Sequence, residues 1–403
     1  MFWFWFWLVI HLLMLVFDVA WWAIAMRLTK RRLWRVLVSV FMAGQMAAFY
    51  SLVYNLDWLR HSPKAVLVAV AVWHFFAVGF GLAVLLPLGL ARAGAWLVPG
   101  LAPATGVRGH SPVATPASVN SLRRREFIGA CAALAPPLLT VGLTGISLAQ
   151  LSSFRVRRFA LSIPALPRAL DGVTIAHVSD IHLGEMTRGR VLRDIVNTTN
   201  ALRADVVVFT GDLIDHELAD LSEGIALVKA MAGRYGLWMV EGNHDLLQDG
   251  WEFERRVKAA GLPLLLNESA VAEVRGYPVQ FLGLGWACDR QRDWTIALQM
   301  RELMRQRQPD AFPIVLAHHP HAFDAAVKAD LPLTLTGHTH GGQFMLDRQH
   351  GVGSVMFRYW SGLYRRGGSQ LIVANGVGNW LPIRVNAPAE IVHLTLRCAE
   401  ARG

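Results

Sequence analysis

Aspartate, histidine and asparagine residues gather in five short motifs in the second half of the chain. They are Asp180-Ile181-His182, Gly211-Asp212-Leu213-Ile214-Asp215, Gly242-Asn243-His244-Asp245, Ala317-His318-His319-Pro320 and Thr336-Gly337-His338-Thr339-His340-Gly341-Gly342-Gln343. Carboxylates, imidazoles and an amide, with no thiolate among them, suit Mn, Fe or Zn. The donors are numerous enough for two ions. A pair of ions a few ångströms apart can share one carboxylate and one hydroxide and clamp an oxyanion. Asp212, placed after Gly211, is the natural bridge. Asn243 offers a neutral oxygen, which keeps the site's charge low enough for a phosphate dianion to enter.

Each motif follows an apolar run of strand length, so each falls where a strand meets a loop. In α/β sheets that is where ligands bind. Strands are expected at 173–178, 206–210, 236–240, 279–284, 314–317, 333–336, 371–374 and 391–396. Helices are expected at 190–201, 218–231, 251–260, 294–307 and 323–329. The early alternation of strand and helix argues for an α/β fold; the later strands, with little helix between them, argue for a second sheet.

In this order the motifs resemble the calcineurin-like metallophosphoesterase family over about residues 173–396. The Gly-His-Thr-His-Gly-Gly-Gln run is similar to the membrane-anchored phosphodiesterase branch, as are Gly376-Val377-Gly378 and Pro388-Ala389-Glu390-Ile391. The resemblance implies two packed mixed β-sheets flanked by helices. It implies that Asp180, His182, Asp212 and His340 hold one metal ion, and that Asp212, Asn243, His318 and His338 hold the other. The ions would be divalent or trivalent Mn, Fe or Zn. His244 would be the general acid or transition-state donor, and Asp215 would accept from it and fix its tautomer. A metal-bridging hydroxide would attack a phosphate ester or diphosphate in line. The family pattern Leu-Ala-His-x-Pro selects His318 over His319.

Neighbouring residues have plainer readings. His177 fills a packing position on its strand, and His319 and His321 face solvent. His216 and Asp245 support the motif residues or lie on exposed loops. Arg188 and Arg190 solvate a helix start, with contact to a substrate phosphate as the alternative. Trp286, Trp360 and Trp380 are core aromatics, with a lip over the site as the alternative.

The first third of the chain is of another kind. The mean hydropathy of the whole chain is +0.35, and its net charge is +10. Three apolar spans are expected within residues 1–91, a basic Pro/Gly/Ser-rich linker over 92–126, and a fourth span over 127–150, ahead of a catalytic domain at 159–400. Arg27, Lys30, Arg31, Arg32 and Arg35 follow the first span, and Arg92, Arg108 and Arg123-Arg124-Arg125 follow the third. The loop between the second and third holds only Arg60 and Lys64. By the positive-inside rule the linker is cytoplasmic and the catalytic domain faces outward across the cytoplasmic membrane. Arg155, Arg157 and Arg158 dissent from that pattern and are assigned to lipid head groups. Arg124-Arg125-Glu126-Phe127-Ile128 resembles a twin-arginine export signal, but Arg123 stands where Ser or Thr belongs, and a basic flank is the plainer reading. His11 and Asp18 share a helix face and, with His74, suggest a polar contact inside the bundle.

The expected partners are therefore the lipid bilayer and a phosphorylated substrate, a lipid-linked one included. No basic groove interleaved with aromatics points to nucleic acid. A sensor or scaffold without turnover, a periplasmic scavenging phosphodiesterase and a transporter with an attached hydrolase are the alternatives. Cys288 and Cys398 could pair; Cys131 lies in an apolar segment.

Overall fold

The computed structural model describes residues 2–53, 63–76, 116–164, 166–287, 292–347 and 350–399. The chain divides into two compact units, Met1–Ile146 and Ser147–Gly403.

The first unit holds helices α1 (Phe2–Leu28), α2 (Arg32–Val53) and α3 (Lys64–Phe76), and most of α4 (Pro116–Leu151). Three windows among the described residues are long and apolar enough to cross a membrane: His11–Leu28, Arg32–Ser51 and Ala133–Leu151. α3 covers the start of the expected third span; residues 77–90 lie outside the described residues. α4 begins at Pro116, inside the stretch read as linker. It contains Pro136 and Pro137. A proline has no N–H for the carbonyl four residues back, so Pro137 frees the carbonyl of Ala133. The Trp21 indole donates to that carbonyl at 3.1 Å.

Asp18 is the polar hub of this unit. Its carboxylate accepts from Trp73 Nε1 at 2.8 Å and Gln45 Nε2 at 3.3 Å, and meets His74 Nε2 at 3.3 Å. The polar contact expected inside the bundle is therefore present. His11 packs instead beside Phe49 and Tyr50.

The second unit is an α/β domain with two mixed sheets. The first sheet runs β1 (Phe154–Ile163), β11 (Ala389–Cys398), β2 (Thr174–Val178), β3 (Val206–Thr210), β4 (Leu237–Val240). The second runs β5 (Glu268–Val274), β6 (Tyr277–Gly283), β7 (Phe312–Leu316), β8 (Leu333–Thr336), β10 (Ser369–Val373), β9 (Gly362–Arg366). Strand β3 shows why the layers form. All five of its residues are buried, and their side chains alternate between two apolar faces. Val206 and Val208 join the core between the sheets, with Ile175, Phe281, Ile314, Leu335 and Leu394. Val207 and Phe209 face the opposite way, under α5 (Arg190–Ala201), α6 (Leu221–Lys229) and α7 (Gly250–Ala259). The outer face of the second sheet is covered by α8 (Arg292–Arg305) and α9 (Ala322–Lys328). A short helix, α10 (Val352–Met356), follows the last motif.

One sequence assignment is corrected. Arg155, Arg157 and Arg158 do not lie in a linker: they belong to β1, which pairs in parallel with β11 along its whole length. Arg155 and Arg157 reach the fully buried Glu390 at 2.9 and 3.3 Å. A buried carboxylate needs such partners, so these two arginines serve the sheet and not lipid head groups. Their charge masked an edge strand.

Candidate metal centre

The motifs come together at one end of both sheets. Asp180 and His182 follow β2, Asp212 follows β3, Asn243 and His244 follow β4, His318 follows β7, and His338 and His340 follow β8. The backbone is bent hard here. Asp180, His182, Asp212, His338 and His340 all have positive φ, between 46° and 73°. Such conformations are uncommon outside glycine and cluster where a site dictates them. Small residues admit the close approach: a Cβ on Gly242 would collide with the carboxylate of Asp212, and one on Gly337 with that of Asp180.

Three donor groups result, each with atoms within 4.8 Å of one another: Asp180, His182 and His340; Asp212, His318 and His338; and His182, Asp212 and His244. His182 Nε2 and His340 Nε2 face each other at 3.0 Å, and His340 Nε2 lies 3.3 Å from Asp180 Oδ1. Asp212 Oδ2 lies 3.3 Å from His182 Nε2 and 3.0 Å from His318 Nε2, so one oxygen faces both halves of the cluster. Its Oδ1 accepts from the backbone N–H of His244 at 2.8 Å. His318 Nδ1 donates to the Thr210 carbonyl at 2.6 Å, which leaves the Nε2 lone pair available to a cation.

Two atoms test whether cations fit. Asp180 Oδ2 and Asn243 Oδ1 are inaccessible to solvent, and neither has a hydrogen-bond partner. A buried oxygen without a donor is costly, and a cation between these oxygens and the imidazoles resolves both. The donor set thus fits two ions.

The electrostatics of the cluster are mixed: burial opposes the charge of His318, but Asp212 and Asp180 outweigh it and raise its pKa to about 9 while no cation shares those carboxylates. Burial opposes the charges of Asp180 and Asp212, but the imidazoles, foremost His340 and His318 respectively, hold both carboxyls below the usual range. Burial lowers the pKa of His340 to about 4, against the pull of Asp180, and holds that of His338 well below the usual imidazole range, so both stay neutral, the form that can bind a cation. His244 moves the other way, up to about 9: burial opposes its charge, but Asp215 and Asp212 outweigh it.

A family model described as calcineurin-like phosphoesterase matches residues 173–342. The chain carries a calcineurin-like metallophosphoesterase domain. A transmembrane protein with metallophosphoesterase domain from Danio rerio is 30% identical over 264 residues, 59% of this chain and 56% of that one. A metallophosphoesterase of Bacillus subtilis is 28% identical over 300 residues, 69% of this chain and 99% of its own length. The chain thus spans little more than half of the first relative and nearly all of the second. Among solved structures, a dimetal phosphatase from Danio rerio aligns with 57% of this chain and 94% of its own, at a TM-score of 0.35 and 14% identity.

Around the candidate metal ligands, Asp215 does more than the sequence suggested. Its backbone carbonyl accepts from His244 Nδ1 at 2.6 Å, and its Oδ1 lies 3.3 Å from both His244 Nδ1 and His182 Nδ1. It therefore orients a candidate ligand as well as the candidate acid. His177 is buried and bonded to Thr210, as expected of a packing residue. Arg188 and Arg190 pair with Asp220 and Asp194. His319 is buried, not solvent-facing, and Arg292 donates to its Nε2 at 2.9 Å. Trp360 is in the core, but Trp286 stands 5.1 Å from the His338 ring. Trp380, 41% exposed, stands 5.7 Å from that of His244. These two tryptophans border the candidate site. Cys398 is free; Cys288 lies outside the described residues.

Two residues escaped recognition for what they do. Asp245 is buried, and its carboxylate accepts from the backbone N–H groups of Asp212, Leu213, Ile214 and Gly242 at 2.8–3.1 Å. Arg384 is fully buried and donates to Asn379 and to the carbonyls of Asn375, Gly378 and Ala387, with Nη2 3.1 Å from His340 Nδ1. The Asp245 signal was there, beside Asn243 and His244; a lone arginine in an apolar run gives none.

Proposed function

We propose that the protein is a membrane-anchored, dinuclear-metal phosphoesterase that hydrolyses a phosphate ester or diphosphate bond. The observation that carries this reading is Asp212 Oδ2, which faces His182 and His318 alike, with the unpartnered Asp180 Oδ2 and Asn243 Oδ1 nearby. Asp180, His182, Asp212 and His340 hold one ion and Asp212, Asn243, His318 and His338 the other. When bound, Mn, Fe or Zn ions supply an activated water and neutralise phosphoryl oxygens. His244 commits Nδ1 to Asp215 and keeps Nε2 for the substrate, where it gives a proton to the leaving oxygen or a hydrogen bond to the phosphoryl group. Trp380 beside it favours a substrate with an apolar portion, a lipid-borne phosphate among them. The charge pattern of the amino-terminal loops supports a domain on the outer side of a cytoplasmic membrane.

The test is Asp212→Asn in the purified full-length protein. Bound metal, measured by elemental analysis, should fall, and hydrolysis of bis-p-nitrophenyl phosphate should be lost. Full activity with two metals bound would overturn the reading.

A further inference from the structure

The rim of the site carries apolar side chains that stay exposed among the described residues. Leu346 is 72% exposed, Val355 88% and Met356 67%. They sit on a small lobe formed by residues 344–347 and 350–357. Leu346 N donates to His350 O at 2.8 Å, Val352 N donates to Phe344 O at 3.1 Å, and α10 follows at once. The lobe is fastened to the site. Gly353 packs under the Trp360 ring and against Gly342, and the Phe357 ring lies 5.6 Å from that of His338. Asp347 and His350, at its turn, meet each other at 2.8 Å, which offsets the charge there.

What faces this lobe is indicated by how its neighbour is tied. Met345 N donates to Val385 O and Val385 N to Gln343 O, both at 2.9 Å, joining the lobe to the loop at 376–387. In that same loop Asn379 Nδ2 donates to the carbonyl of Leu151 at 2.9 Å. Leu151 is the last residue of the apolar window Ala133–Leu151, and β1 begins at Phe154. The loop that braces the lobe is thus bonded to the end of a helix long and apolar enough to cross a membrane.

We propose that Leu346, Val355 and Met356 enter the surface of the lipid bilayer in which α4 is anchored, and hold the mouth of the site against it. The partner is lipid, because an exposed apolar patch beside a membrane-spanning segment loses its contact with water there. The proposal rests on α4 crossing a membrane and not on the hydrolase reading.

The test uses full-length protein in nanodiscs of phosphatidylethanolamine and phosphatidylglycerol, with Cys131→Ser, Cys288→Ser and Cys398→Ser as background. Nitroxides are placed singly by Leu346→Cys, Val355→Cys and Met356→Cys. Glu302→Cys, at an exposed position on α8, is the reference. An unchanged thermal transition identifies the folded variants. Collision with lipid-soluble oxygen should exceed collision with a water-soluble nickel chelate at the three rim positions, and the order should reverse at 302. Rim nitroxides as open to nickel as the reference would overturn the proposal. Immobilised nitroxides shielded from both reagents would also overturn it and indicate a protein partner. No turnover is needed, so the result stands apart from any failure of the hydrolase reading.

Discussion

Asp245 makes no contact with substrate in the proposed mechanism, yet its replacement should be among the most damaging in the domain. Oδ2 accepts from Asp212 N and Gly242 N, both at 2.9 Å; Oδ1 accepts from Leu213 N at 2.8 Å and Ile214 N at 3.1 Å. Burial and the charge of Asp212 push its pKa up to about 7, while the N–H groups of Gly242 and Ile214 pull it down. All four partners are donors, so the loops are built around the carboxylate. Asp245→Asn keeps the shape but keeps one acceptor oxygen only. Its NH2 must face two backbone N–H groups, which are left unsatisfied at about 1–3 kcal/mol each. The expected loss is about 2–6 kcal/mol. At about 2–4 °C per kcal/mol for a domain of this size, Tm should fall by roughly 10 °C. The assay is thermal unfolding of the purified full-length protein, with metal content measured alongside. Because the clasp fixes the loops of Asp212 and Asn243, metal should be lost as well. An Asp245→Asn protein with wild-type Tm and full metal would refute the clasp.

Further expectations follow from the same geometry. His244→Ala should lower turnover by about a hundredfold to ten-thousandfold while metal content is retained; loss of metal would make His244 a ligand. Glu241 is raised to about 7 by burial, against a hydrogen bond from Trp286 N. A carboxyl whose folded pKa is raised stabilises below its unfolded value and loses that contribution as pH rises towards 7. Thermal melts should therefore show Glu241→Gln gaining on the wild type between pH 4 and pH 8, by up to about 3 kcal/mol; parallel pH profiles would refute the shift. A reporter active only outside the cytoplasm should work when fused after Gly403 and fail within residues 102–115; the reverse result would place the site in the cytoplasm.

Much of the site was legible because its chemistry is local. Asp-x-His, Gly-Asp, Gly-Asn-His and Gly-His-x-His each put donors within a few residues of a strand end, and the apolar run before each motif announced that strand. The strands that escaped notice, β1, β5 and β9, lack such runs. β1 carries three arginines, and the partner of Arg155 and Arg157, Glu390, lies far along the chain. β5 and β9 lie at sheet edges, where one side of the strand stays polar. Arg384 was invisible for a related reason: its partners are carbonyls, and any residue supplies a carbonyl.

The left-handed backbone at Asp180, His182, Asp212, His338 and His340 costs roughly 1–2 kcal/mol per residue. Something other than a bound ion must meet that cost if the loops keep their shape before metal arrives, and the contacts that do so are on the page. Asp180 N donates to Gly211 O and His182 N to Asp212 O, both at 3.0 Å; Gly337 N donates to His318 O at 3.1 Å. Val377 N and Gly378 N close on Ser179 O and Asp180 O. Asp245 and Arg384 then fix these loops through hydrogen bonds with backbone groups, none of which is a candidate metal-donor atom. The strain is therefore held by the protein, and the ligands are placed in advance. The proposed metal centre should therefore not be needed for folding, which separates two perturbations that would otherwise look alike: a chelator should remove activity and leave the Tm of the α/β domain near that of the wild type, whereas loss of the Asp245 clasp should lower metal content and Tm together.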